Sequence, residues 1–254
     1  MNRDQGVLYQ VISEKLDGLI WKVQINEKKT LVALESRNSD LKKVAFTVLN
    51  YQTGNIHFKE KVFEEPWNLN LAFTGEKTLV LTAFQQSNSP ECRGLIAVNA
   101  QNGSKLWEQH NISLNQANEN GIQVFDSRIN PRKYYWIDHE DGGSIPEPGN
   151  NYSETDTLWF PQLSRPSVLP DFILREEIVG EVALLILPDK TIVSFHEKIN
   201  NNFQQRLLVY QGDNILLDDI LIKDIQKIQP ESFFIQHNNL FYIRNKNEIV
   251  SYLV

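Results

Sequence analysis

The chain has 254 residues, with 25 Lys or Arg against 32 Asp or Glu, a formal net charge of −7. At 41% hydrophobic and 22% charged it can bury a core, which excludes intrinsic disorder. The acidic balance argues against a nucleic-acid partner, which needs a clustered basic surface. The single cysteine, Cys92, excludes an internal disulfide and a thiolate zinc cluster, and fits a reducing, cytoplasmic setting.

From the N-terminus, Gln10, Ser13 and Glu14 interrupt the apolar residues, so no secretory signal and no membrane association are expected. Short apolar or alternating segments then predict strands at Leu19–Ile25, Thr30–Leu34, Val44–Asn50 and Ile56–Val62. The pattern continues at Leu69–Phe73, Thr78–Phe84, Gly94–Asn99, Lys105–Glu108, Ile122–Phe125 and Tyr134–Asp138. After a loop-rich stretch it resumes at Val182–Leu187, Thr191–His196, Arg206–Gln211, Ile215–Asp218, Phe233–Gln236, Leu240–Arg244 and Ile249–Leu253. Turn dipeptides such as Asp17-Gly18, Thr53-Gly54, Asn102-Gly103 and Gly212-Asp213 separate them. Ile220–Ile228 fits either one short helix or an irregular strand. Many short, evenly spaced strands predict an all-β sandwich, barrel or propeller.

Internal repetition selects the propeller. The run Leu49–Lys59 superimposes on Val98–Glu108 at an offset of about 49 residues without a gap, a repeat length suited to a four-stranded blade. Asn50 meets Asn99, Gln52 meets Gln101, Gly54 meets Gly103 and Phe58 meets Trp107. A shorter copy is read in Asp17–Lys22, with Gly18 and Trp21. The glycine permits the positive φ of a tight turn, the Asn side chain bonds the backbone of that turn, and the aromatic leaves it to pack between blades.

At these residues the chain resembles the quinoprotein-type repeat of pyrroloquinoline-quinone (PQQ)-dependent dehydrogenases and their non-enzymatic relatives, Ala-x-Asp-x-x-Thr-Gly-x-x-x-Trp. Ala97, Asn99, Asn102, Gly103 and Trp107 fill it, with Asn in place of Asp and of Thr, and Asn50, Thr53, Gly54 and Phe58 give a second copy. The resemblance spans residues 94–111 and 44–62 and implies a fold, not an activity. The dehydrogenases have eight blades, a calcium-bearing cofactor site and often a vicinal disulfide. This chain is too short for eight blades, has one cysteine, and offers no pattern for PQQ or calcium, so no cofactor and no metal are expected. The resemblance points instead to a small bacterial family of unknown function with that fold.

Residues 1–254 are therefore expected to form one propeller domain of five blades, or six if the Pro-rich stretch at 139–172 hides another. The blades are placed at 30–63, 68–111, 121–172, 177–222 and 230–254. Leu19–Ile25 is expected to supply the last blade's fourth strand, pairing the chain ends.

Candidate chemistry is sparse. Asp138-His139-Glu140-Asp141-Gly142-Gly143 is the densest polar cluster, either a cation-holding loop or a solvated hairpin end; the spacing lacks the Asp-x-Asp-x-Asp-Gly of a calcium loop. The histidines His57, His110, His139, His196 and His237 show no short-range pairing, and Cys92 beside Arg93 has no evident partner. No nucleophile elbow, phosphate loop or dinucleotide fingerprint occurs. Asn111-Ile112-Ser113 and Asn151-Tyr152-Ser153 match glycosylation acceptors, irrelevant without secretion. Trp159, Phe160 and Leu163 sit among prolines, either as an exposed partner-binding surface or folded back onto a blade. The expected function is a non-catalytic scaffold binding another protein or peptide. The alternative is a small-molecule or metal binder, or an enzyme, using the axial cavity through Asp126, Asp138, His139 and Glu140.

Overall fold

In a computed structural model of the chain, the described residues are 8–26, 28, 30–63, 68–84, 92–149, 158–173, 178–228 and 232–254. The expectations concerning Asn151, Tyr152, Ser153 and the side chains of Cys92 and Arg93 fall outside them. Regular structure among the described residues is antiparallel strand, apart from one 3-10 turn at Pro166–Val168. No described helix is long and apolar enough to cross a membrane. The contacts divide the chain into two compact units, residues 16–154, and residues 1–15 together with 155–254.

Strand β1 (Tyr9–Lys15) belongs to the second of these units. The first unit opens with a sheet of β2 (Leu19–Asn26), β3 (Leu31–Asn38), β4 (Lys43–Asn50) and β5 (Ile56–Lys61). Next comes a sheet of β6 (Leu69–Thr74), β7 (Thr78–Phe84), β8 (Cys92–Asn99) and β9 (Lys105–Gln109). The third is β10 (Ser113–Asn118), β11 (Gly121–Phe125), β12 (Tyr134–Ile137) and the two-residue β13 (Ser144–Ile145). Each runs in chain order, a meander that needs only hairpin turns. The middle strands are buried on both faces: Leu79 and Leu81 pack against the first sheet, whereas Val80 packs with Ile122, Val124 and Ile137 of the third. Such strands read as continuous apolar runs, which is why the sequence announces them.

The first strand of each meander has one unpaired edge, and β2 satisfies that of β6. Lys22 Nζ donates to Leu71 O (2.7 Å), Gln24 Nε2 to Ala72 O (2.8 Å) and Asn26 Nδ2 to Thr74 O (3.2 Å), alternate residues of one strand feeding carbonyls along another. Glu35, fully buried, accepts from Leu71 N (2.7 Å) and pairs with Arg37 (2.7 Å). Arg37 donates onward to Leu69 O and Asn70 Oδ1.

In the second unit, β14 (Leu158–Trp159) and β15 (Gln162–Ser164) are short edge strands. β15 starts a sheet continued by β16 (Ile178–Ile186), β17 (Thr191–Ile199), β18 (Asn202–Gln211) and β19 (Asn214–Ile225). The segment read as helix or irregular strand is the second: β19 runs to Ile225 with register shifts against β18. The last sheet has the order β1, β22 (Glu248–Leu253), β21 (Asn239–Arg244), β20 (Phe233–Gln236), β14. Chain-end pairing is thus present, but Tyr9–Lys15 makes it, with Tyr9 opposite Leu253 and Lys15 opposite Glu248. Leu19–Ile25, expected in that place, opens the first sheet instead. Tyr242 Oη donates to Asp219 (2.6 Å), joining β21 to β19, and burial together with that carboxylate pushes the phenol far above its ordinary range.

The stretch at 139–172 contains no further sheet among its described residues. It contributes β13, β14 and β15, one edge strand to each of three sheets.

Candidate functional site

The turn between third and fourth strands is built the same way in three successive sheets. Asn50 Oδ1 accepts from the amides of Gln52 and Thr53 (both 3.0 Å), and Gly54 N donates to Asn50 O. Asn99 does the same with Gln101 (2.8 Å), Asn102 (3.3 Å) and Gly103. Asp138 does so with Glu140 (2.7 Å), Asp141 (3.3 Å) and Gly142. The glycines hold φ of +74°, +69° and +70°, values open to glycine and costly to other residues. The polar cluster at 138–143 is therefore a third copy of the repeat turn. Asn-Tyr-Gln-Thr-Gly, Asn-Ala-Gln-Asn-Gly and Asp-His-Glu-Asp-Gly share an amide or acid at the first and third positions, a signal the sequence carried. The aromatic is missing because β13 ends where it would stand, at Pro146.

These turns dock on the preceding sheet. Trp107 Nε1 donates to His139 O (2.9 Å), its ring lies against Gly142, and Gln109 Nε2 donates to Gly142 O (2.9 Å). One repeat earlier, His57 Nδ1 lies 3.2 Å from Ala100 O and Lys61 Nζ donates to Asn102 O. Phe58 packs against the core shared by the first two sheets. Asp17–Lys22 is a correction: it leads into the first strand of a sheet, not the fourth. Gly18 has no left-handed φ there, and Trp21 is 69% exposed with the Arg37 guanidinium 5.5 Å over its ring.

The residues proposed for catalysis or ligand binding at this turn have structural partners. Asp138 is occupied by turn amides, and Asp141 accepts from Gly143 N (2.7 Å). Glu140 pairs with Lys77 (2.9 Å) and Asp126 with Arg128 (2.6 Å). His139 stacks on Phe73, ring centroids 5.3 Å apart, and its burial lowers its pKa. Among the described residues no group of three or more His, Cys, Asp or Glu is placed to hold a metal ion.

The aromatic segment is laid along a sheet edge. Leu158 and Trp159 pair with Gln236 and Ile235, leaving Trp159 49% and Phe160 62% exposed. Phe160 lies 6.2 Å from Phe234, which stacks on Phe241 at 5.1 Å. Leu163, on the edge strand β15, is 52% exposed.

Two cavities stand out. One, of about 710 Å³ in the first unit, is lined by cations that are already engaged: Lys105 with Glu108, Arg128 with Asp126 and Lys61 with Asn102 O. The other, of about 250 Å³ in the second unit, is lined by Ser194, His196, Gln205 and Glu181 with Leu163, Ala183 and Ile228. Only His196 among its polar residues was singled out by sequence.

Residues 25–107, about a third of the chain, match the model of a domain of unknown function, DUF4905. No curated protein matches the chain. Among solved structures it is similar to the β-propeller domain of the Trilobed protease from Pyrococcus furiosus, at 12% identity over 94% of this chain and 65% of that one, with a TM-score of 0.31. It is similar also to an acylaminoacyl peptidase of Pyrococcus horikoshii (12%, 89% and 36%, 0.31) and to the Dos1 propeller (11%, 97% and 95%, 0.28). The chain thus spans 65% and 36% of the first two, and likenesses this distant do not bear on function.

Proposed function

We propose that the chain is a five-bladed, quinoprotein-like propeller of the cytoplasm, without cofactor, acting as a non-catalytic scaffold for an extended segment of another protein. Five consecutive antiparallel sheets, the repeated turn and the β1–β22 pairing support the architecture. The lone cysteine supports the compartment.

The observation that carries the binding reading is the exposed pair Trp159 and Phe160 on the two-residue edge strand β14 beside Phe234. Large rigid aromatics are the residue type that dominates protein interfaces, and a short edge strand is a place where a peptide adds as a further strand. Deleting 144–168 would strip an edge strand from three sheets, so the test needs point changes. Peptides selected from a random library against the whole chain should bind the double variant Trp159→Ala, Phe160→Ala at least about thirtyfold more weakly, the loss of one 2 kcal/mol hot spot. Its melting temperature should stay that of the parent. Selected peptides that bind both proteins equally would exclude this surface.

A further inference from the structure

We infer that the cavity in the β15–β19 sheet binds a small neutral or cationic polar molecule, an amino alcohol or polyol, through the Ser194 hydroxyl, His196 and the Gln205 amide. The cavity exists because the ladder is broken there. Val179 opposes His196 and Ala183 opposes Ser194, so three residues of β16 face Phe195 alone on β17. Gly180 takes a φ of +77° and lies close to Ile228. Bulges of this kind recur beside ligand sites, where they re-aim side chains. On the other side β17 and β18 pair without interruption, which places Gln205 directly opposite His196.

Ser194 and His196 project from the same face of β17, two residues apart. Ser194 is 2% exposed, the residue lines the cavity, and its Oγ has no hydrogen-bond partner. A buried hydroxyl is almost always bonded, so one left open toward a cavity is a donor and acceptor awaiting a partner. His196 and Gln205 are 3% and 4% exposed. Burial lowers the His196 pKa, so the ring is neutral and offers both donor and acceptor character. Ser194 Oγ bonds no imidazole, so the geometry shows no nucleophile–base pair and points to binding.

Charge sets the ligand class. Among the described residues Glu181 is the one charged side chain lining the cavity, and no described Lys or Arg lines it. Arg206 pairs in register with Phe195, on the alternate face, and is held by Asp218 and Glu197. Among these described residues an anion would meet a carboxylate and no cation, whereas an amine or hydroxyl finds acceptors. About 250 Å³ corresponds to roughly eight waters of liquid, room for a molecule of about six to ten heavy atoms.

The test uses the whole chain with labelled histidine. Ethanolamine, glycerol and, as the anion control, acetate are titrated while the His196 ring resonances are followed. Ethanolamine or glycerol should shift them saturably and acetate should not. Ser194→Val should weaken that binding at least tenfold while leaving the melting temperature equal or higher, because it removes an unbonded hydroxyl. Ser194→Ala gives the same reading if the valine variant fails to fold. Overturning results are no saturable shift with either ethanolamine or glycerol, tighter binding of acetate, or a melting temperature lowered by several degrees in both variants, which would make the hydroxyl a structural group in a water-filled cavity.

Discussion

Gly142→Ala tests the latch between the second and third sheets. Two costs add. The residue holds φ +70°, where an L side chain costs about 1–2 kcal/mol. A Cβ would also stand 2.9 Å from Trp107 Cδ2 and 2.9 Å from Gln109 Nε2, contacts no real Cβ makes, and overpacking of that kind costs about 1–3 kcal/mol. The stiffer unfolded chain returns about 0.4–1 kcal/mol. The net loss is roughly 2–4 kcal/mol, or about 5–15 °C in melting temperature for a chain of this size. Gly212→Ala is the control, with φ +55° and nothing within 4 Å of the added carbon. It should lose about 1 kcal/mol or less. Urea unfolding followed by circular dichroism measures both. In a Trp107→Leu background the Gly142→Ala penalty should fall toward that of Gly212→Ala, since much of the obstructing ring is gone. Equal losses for the two alanines in the parent, or a penalty unchanged by Trp107→Leu, would refute the latch.

Glu35→Ala removes a fully buried carboxylate, leaves the Leu71 amide without its acceptor and takes from the Arg37 guanidinium its counter-charge, so it should cost about 3–5 kcal/mol. Because the site is shielded, 0.5 M salt should not narrow the gap; a loss under about 1 kcal/mol in urea titrations would show that the pair is not structural. His139 should make the fold acid-sensitive, because burial lowers its folded pKa below the ordinary 6.5. Below about pH 6.5 the unfolded chain then binds a proton that the folded chain does not, and stability falls with falling pH until the folded value is reached, by at most about 1.4 kcal/mol per pH unit. His139→Phe, which keeps the stack on Phe73, should flatten the curve between pH 7 and 5 relative to the parent; parallel curves would rule this out.

The central strands were legible because burial on both faces leaves mostly apolar residues in β4, β7 and β8, with Thr47, Thr78 and Thr82 the buried polar exceptions. The edges were not. In β1 only Ile12 is buried, and β10 carries Asn115, Gln116 and Asn118, the first two exposed, among its six residues. Without those two strands the apolar pattern alone puts Leu19–Ile25 at the closing position of the last sheet, where Tyr9–Lys15 stands. The strands β13, β14 and β15 are two or three residues long and pair with partners distant in sequence, below the length at which alternation can be read.

For the sites, composition and geometry point in opposite directions. The residues most conspicuous in the sequence, Asp138 to Asp141, are each engaged by a turn amide, a ring stack or an ion pair. What marked them as structural was the shared position of Gly142 with Gly54 and Gly103, a matter of spacing. Ser194 sits in the apolar run Thr191–His196 and looked like strand filler. Its significance depends on the register shift in β16, and the one trace of that shift in the sequence is Gly180 between Val179 and Val182, a glycine inside a strand. A polar residue in a buried strand gains meaning from whether its neighbours complete its hydrogen bonds, so in this chain an isolated glycine upstream of a buried serine is a better pointer to a cavity than the densest cluster of charge.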